Sequence, residues 1–71
     1  MKKYSNKRGN SPITNYQIND DKIIVLFNTW KSYSYSYGKA GRTNVEQMKK
    51  LAKNGSGLCD YITKYVRNDY D

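Results

Sequence analysis

The chain has 71 residues, a formal net charge of +7 at pH 7, one cysteine and no histidine. This length is enough for one domain with a modest core and too short for two. A single cysteine excludes an internal disulfide and, without histidine, argues against a zinc site, so the sequence predicts a domain closed by apolar packing, with no metal and no cofactor.

Residues 1–10 form a polar segment that we expect to be a flexible basic arm, because Tyr4 is its only aromatic residue. The segment contains four of the thirteen basic residues and no acidic one: Lys2, Lys3, Lys7 and Arg8. The rest of the chain has nine basic and six acidic residues, a net charge of +3. Charge concentrated in this way favours a polyanionic partner such as nucleic acid, although a short basic arm can also serve solubility alone.

Three segments after the arm are predicted to be β-strands. Residues 13–18 alternate along an extended chain, and the Asn-Asp-Asp sequence at 19–21 is typical of a turn. Residues 23–27 are a β-branched apolar run, which is typical of a central strand. A short reversal at 28–29 leads to a third strand over residues 30–37. Tight turns between the three strands predict an antiparallel meander.

The last six residues of the third strand, 32–37, alternate strictly between serine and tyrosine. Its tyrosines lie on one face and its serines, Ser32, Ser34 and Ser36, on the other. A serine face makes a poor core, so we expect the helices to cover Tyr33 and Tyr35. The alternative is that the tyrosine row stacks on unpaired bases. Tyr37, at the end of the strand, is freer to act at the surface.

Two helices are predicted after the strands. Thr43 and Glu46 have the spacing of a capping box, and the first helix is expected to end at Gly55. The residues of the first helix expected to face inward are Val45, Met48, Leu51 and Ala52. Over 58–68 the apolar residues at helical spacing are Leu58, Tyr61, Ile62, Tyr65 and Val66. The predicted fold is α+β, a three-stranded antiparallel meander followed by two helices packed on one face. The arm at 1–10 precedes this single domain at 11–68, and a short tail at 69–71 follows it.

The order of these motifs resembles a known family. A Tyr-x-Tyr element at 33–35 lies six residues after Phe27, and a glycine-containing link at 55–57 precedes a terminal helix that contains Ile62. This pattern resembles the KTSC domain, named for the C-terminus of some lysyl-tRNA synthetases and also found as a stand-alone bacterial protein. The resemblance covers roughly residues 11–68, the whole predicted domain.

The chain departs from the family pattern at two positions. Trp30 stands where the family often has a turn glycine, and Cys59 stands where an asparagine is common. The first departure puts the turn before the last strand in question, and the second puts any polar role at that position in question. The resemblance implies little about activity, because the family is of unknown function, with RNA binding proposed from the synthetase association.

Together, charge and aromatic content predict a small non-enzymatic module that binds nucleic acid, RNA in preference to DNA. The side chains predicted to contact it are Lys2, Lys3, Lys7, Arg8, Trp30, Lys31, Tyr37 and Arg42. Trp30 is the expected aromatic anchor, since tryptophan is enriched at binding hot spots. The alternative is a ring folded back over the meander.

A second function class stays open at this point: a protein-interaction or adaptor module that uses an edge strand or the Trp30 hairpin, with a foreign partner or as a homodimer. A small nucleotide held at the glycine-containing link, residues 55–57, is a weaker hypothesis, because a plain turn between helices explains that link better.

Catalysis and membrane association are not predicted. No histidine is present, the six carboxylates lie mostly in turns and tails, and Cys59 has no histidine to activate it. The longest apolar run, residues 23–27, is far too short to span a bilayer. Since no export signal follows the basic N-terminus, we expect a cytoplasmic location.

Overall fold

The structure, a computed structural model, describes residues 1–9 and 11–71 and has an α+β fold. One antiparallel sheet contains four strands in chain order: β1 (Lys2–Lys3), β2 (Ile13–Asn19), β3 (Lys22–Phe27) and β4 (Ser32–Ser36). The helices that follow are α1 (Tyr37–Ala40), α2 (Arg42–Asn54) and α3 (Leu58–Tyr61), and α3 continues directly into a π-helical turn, Ile62–Val66. The predicted fold class is confirmed, but the prediction of three strands is corrected to four.

The additional strand, β1, lies in the segment expected to be a flexible arm. Lys2 and Lys3 pair with Tyr16 and Asn15 of β2. The next residue explains the pairing, because the Tyr4 side chain is only 3% exposed. Its backbone N–H donates to the Thr14 carbonyl at 2.9 Å. The free energy gained by burying one aromatic ring exceeds the conformational entropy cost of ordering a two-residue strand.

The core lies between the sheet and α2. Ile23 and Val25 of β3 are fully buried and pair with Tyr35 and Tyr33 of β4. From α2 the buried residues at helical spacing are Val45, Met48 and Ala52. The helices therefore cover the tyrosine face of β4. Burial leaves Tyr35 2% exposed and raises its pKa to about 12.

Alternate residues of the same strands lie outside this core and form what we call the open face. Strand pairing aligns them in three rows that cross the sheet: Asn15, Leu26 and Ser32 in one, Gln17, Ile24 and Ser34 in the next, and Asn19, Lys22 and Ser36 in the third. All nine are exposed or half-buried. The open face is thus polar, with two aliphatic side chains at its centre.

The start of α2 differs from the prediction. The strand β4 ends at Ser36, Tyr37 begins α1, and α2 begins directly after Gly41, which has a φ of 93° and supplies no side-chain cap. Thr43 lies inside the helix, so the predicted capping box is wrong. Its other member, Glu46, accepts a hydrogen bond from the Tyr37 hydroxyl instead.

The last helix also differs from a single run over 58–68. Leu58, Ile62 and Val66 are buried as their spacing predicts, but Tyr65, which has the same spacing, is 61% exposed. The winding widens to a π turn after Tyr61, and helical structure ends at Val66. In the described residues no helix is both long and apolar enough to cross a bilayer. The tail that follows lies against β4, where the Asp71 N–H donates to the Ser34 carbonyl at 2.8 Å.

Candidate nucleic-acid interface

Trp30 lies in the link between β3 and β4, and hydrogen bonds close the turn around it. Its N–H donates to the Phe27 carbonyl, and the Phe27 N–H donates to the Lys31 carbonyl, both at 2.9 Å. Trp30 has a φ of 65°, in the left-handed region. That conformation costs an L-residue about 1–2 kcal/mol, a cost that glycine does not have. The turn therefore uses tryptophan where its geometry favours glycine.

The Trp30 side chain is 86% exposed. The ring therefore contributes little packing to offset its unfavourable backbone conformation. Trp30 therefore combines a left-handed backbone with a ring that is almost fully open to solvent.

Cationic and hydrogen-bonding side chains lie around this corner of the sheet. Lys31 and Ser32 follow Trp30 directly, and both are exposed. The row of the open face that contains Ser32 crosses β3 and β2 and reaches Lys3 on β1. Three strand spacings separate its ends, about 14 Å in all. The row thus ends at Lys3 on β1. At the β4 end, Trp30 and Lys31 lie in the link, where Lys31 is opposite Phe27 and therefore has the alternation of Tyr33 and not that of the open face.

The two lysines of β1 lie on opposite faces, as the alternation of a strand requires. Lys3 pairs with Asn15 on the open face, whereas Lys2 pairs with Tyr16 on the helix-covered face. Lys2 lines a groove of about 530 Å³ together with Met1, Gln17, Ile18 and Lys53. Lys2 therefore lies on the other side of β1 from Lys3, although its groove also reaches Gln17 of the open face.

Lys7 and Arg8 contact the helical layer. The Lys7 N–H donates to the Gly55 carbonyl at 2.8 Å, in the link between α2 and α3. The Arg8 guanidinium pairs with the Asp60 carboxylate at 3.3 Å, and both side chains are 67% exposed. An ion pair in water contributes little to stability and leaves the guanidinium accessible. These two residues are therefore placed beside α3 and not beside Trp30.

Tyr37 and Arg42 lie at the end of β4 opposite Trp30. The Tyr37 hydroxyl donates to the Glu46 carboxylate at 2.5 Å, and the Arg42 guanidinium lies 5.6 Å from the ring centroid. Five residues of extended strand separate this site from the Trp30 turn, a span of about 17 Å. The structure does not bring Tyr37 and Arg42 together with Trp30.

Glu46 and Lys49 are the members of the Tyr37 cluster that the sequence reasoning missed. The Lys49 ammonium lies 5.4 Å from the Tyr37 ring centroid and 2.9 Å from the Glu46 carboxylate. The hydrogen bond from Tyr37, with help from Lys49, lowers the pKa of Glu46. Burial opposes the charge on Lys49, but Glu46 outweighs it and raises the pKa of the ammonium. The i, i+3 spacing of Glu46 and Lys49 was a readable signal.

Cys59 and the acidic residues were also compared with the requirements of a reactive thiol and of a metal site. The thiol is half-buried, and burial raises its pKa, with the Asp60 charge adding to the effect. A raised pKa disfavours the reactive thiolate. Within residues 1–9 and 11–71, no cluster of three histidine, cysteine or acidic side chains is placed to hold a metal ion.

Comparison of the chain with protein-family models, with curated proteins and with solved structures finds no match. Membership of the KTSC family stays a prediction from the motifs at 33–35 and 55–57.

Proposed function

We propose that this domain binds single-stranded RNA at the corner of the sheet formed by Trp30 and Lys31. The observation that carries the proposal is the Trp30 side chain, 86% exposed on a left-handed backbone. An exposed indole stacks on an unpaired base, and such stacking contributes about 1–3 kcal/mol per base. The formal net charge of +7 supplies the attraction to phosphates.

The open face extends this proposed site. Its serine, asparagine and glutamine side chains offer donors and acceptors to bases and sugars, and Lys3 offers charge at the β1 edge. Lys31 offers charge beside Trp30 itself. The covered tyrosines Tyr33 and Tyr35 have no part in the contact. Stacking is therefore limited to one ring, and affinity depends mainly on charge.

A titration of a labelled single-stranded RNA at two salt concentrations tests the proposal. We expect binding at low salt that weakens as salt rises, because bound phosphates release counterions. Trp30→Gly keeps the turn conformation and removes the ring, so it should weaken binding about tenfold or more. Lys31→Gln should weaken binding and flatten the salt dependence by roughly 0.7 in log–log slope.

Lys64→Gln is the matched control, because it removes one charge from an exposed position on the π-helical turn. It should bind RNA nearly as well as the unmodified chain. If Lys31→Gln and Lys64→Gln weaken binding equally, or if Trp30→Gly binds normally, the Trp30 corner is not the site. Single-stranded DNA of the same sequence tests the preference for RNA.

The exposure of Trp30 also favours a second candidate function, a protein interface anchored by the same ring. In that case RNA binding is absent, and light scattering reveals a concentration-dependent dimer that Trp30→Gly abolishes. A chain that stays monomeric across the range and binds RNA removes self-association through Trp30 from consideration.

A further inference from the structure

The C-terminal residues 69–71 lie along the outer edge of β4. The Asp71 N–H donates to the Ser34 carbonyl at 2.8 Å, as the next strand of a sheet would. The Ser36 hydroxyl donates to the Asp71 carboxylate at 2.7 Å. β4 is the last strand of the sheet, and the edge of such a strand presents backbone groups that pair readily with added chain.

An aromatic contact accompanies these hydrogen bonds. The centroid of the Tyr70 ring lies 4.8 Å from that of Tyr33. Tyr33 in turn packs edge-on against Phe27, with 5.7 Å between centroids. The segment thus engages β4 through three features: a backbone donor, an aromatic ring and a carboxylate. Each has a matching group on the strand.

Among residues 1–9 and 11–71, few hydrogen bonds hold the segment. One backbone bond to β4 and one hydroxyl–carboxylate bond secure Asp71, and Tyr70 stays 37% exposed. Asp69 connects the segment to the helical layer through its N–H, which donates to the Val66 carbonyl at 2.9 Å. Another extended chain that makes the same contacts can therefore displace the segment.

We propose that the β4 edge is a binding site for an extended protein segment in which an aromatic residue is followed by an acidic one, and that residues 69–71 occupy this site in the free protein. The tail defines the ligand, because it shows which groups the edge accepts. Tethering gives the tail an effective concentration in the millimolar range. A competing segment therefore binds the intact chain more weakly than a chain whose tail is released.

The test uses full-length protein and a fluorescent peptide that copies residues 66–71. Tyr70→Ala combined with Asp71→Ala releases the tail without shortening the chain. Fluorescence anisotropy should show saturable binding to this double variant, at least tenfold tighter than to the unmodified chain. A peptide with alanine in place of its tyrosine has the same charge and should bind at least tenfold more weakly.

Two serines of β4 provide a matched pair on the protein side. Ser36→Ala, added to the double variant, removes the donor to the carboxylate and should weaken peptide binding. Ser32→Ala changes an exposed serine on the same face of the strand and should leave binding unchanged. In the unmodified chain, excess peptide should shift the NMR amide signal of Asp71, which checks the site without any substitution.

Equal binding of the two peptides would show charge attraction alone and would overturn the proposal. Absence of binding to the double variant would overturn it as well. If the double variant forms dimers without peptide in light scattering, the edge is taken by a second copy of this chain, and the proposed foreign segment is wrong. None of these outcomes depends on RNA binding at Trp30.

Discussion

The N-terminal segment and the β3–β4 hairpin each place one aromatic ring beside cationic side chains, and the fold treats the two rings in opposite ways. Tyr4 is 3% exposed and accepts a hydrogen bond from the Leu58 N–H at 3.4 Å, whereas Trp30 is 86% exposed. The basic charges around Tyr4 belong to a segment packed against its own domain. The charge at Lys31 accompanies a ring that faces water.

An aromatic ring beside basic residues is therefore part of the packed fold at Tyr4, whereas at Trp30 it is open to solvent. Tyr4 is held because β1 pairs with β2 and because Ser5 and Lys7 reach the link at Gly55. Trp30 is confined to a tight turn that directs its ring away from the sheet.

The largest effect is expected from Tyr4→Ala. Removing a buried aromatic ring costs about 3–5 kcal/mol, a large share of the stability of a domain this small. Urea unfolding monitored by circular dichroism measures the change. Tyr65→Ala is the control, since that ring is 61% exposed, and it should cost under about 1 kcal/mol. Equal costs for the two variants would mean that the N-terminal segment is not docked.

The next effect concerns Gly55, which the docked segment approaches closely. A Cβ at Gly55 would lie 2.5 Å from the Cβ of Ser5, and the residue has a φ of 83°. Gly57 has a similar φ of 85°, but its nearest neighbour, a Leu51 methyl, is 3.6 Å away. Both alanine variants have the unfavourable left-handed backbone. The loss of unfolding free energy should therefore be larger for Gly55→Ala than for Gly57→Ala by about 1–3 kcal/mol, the cost of overpacking against Ser5. Adding Ser5→Gly should remove most of that excess.

A smaller and opposite effect is expected at the hairpin. Trp30→Gly should leave stability unchanged or raise it by up to about 1 kcal/mol, because glycine relieves the left-handed strain. Lys31→Gly is the control, since Lys31 does not have a positive φ. That change should cost about 0.5–1 kcal/mol. If the free energy of unfolding is lower for Trp30→Gly than for Lys31→Gly, the Trp30 ring has a structural role.

The smallest effect is a pH dependence at Tyr4. Burial raises the pKa of its hydroxyl above the ordinary value of 10.0, with the Leu58 N–H opposing. The stability that the neutral hydroxyl contributes is present in full below pH 10 and is lost as pH rises through the folded-state pKa. Tyr4→Phe should lower the free energy of unfolding by about 1 kcal/mol near neutral pH. The difference in unfolding free energy between the two proteins should narrow above pH 10. A difference that stays constant with pH would contradict the burial of the Tyr4 hydroxyl.

The sequence predicted the centre of the molecule well. Alternation in residues 32–36 and the apolar run at 23–27 predicted both strands and the face that the helices cover. The spacing of Val45, Met48 and Ala52 predicted the buried side of α2. In each case the pattern is repeated several times, so local propensity and burial favour the same structure.

Single contacts between distant parts of the chain were not predictable. β1 depends on one ring packing against Leu58, 54 positions away, and composition alone indicated a frayed arm. The start of α2 depends on Gly41 and not on the Thr43 hydroxyl, and the tail depends on the free edge of β4. For the candidate site, the sequence identified Trp30 and Lys31, but only the coordinates separate them from Tyr37 and Arg42.

Intrinsic fluorescence tests the central claim most directly, because Trp30 is the only tryptophan in the chain. The signal therefore reports on one side chain without any label. We expect single-stranded RNA at low salt to quench Trp30 emission saturably, with the same midpoint as RNA binding followed by anisotropy, and added salt to reverse the quenching. RNA that binds by anisotropy but leaves Trp30 emission unchanged would contradict the claim that this ring forms the contact.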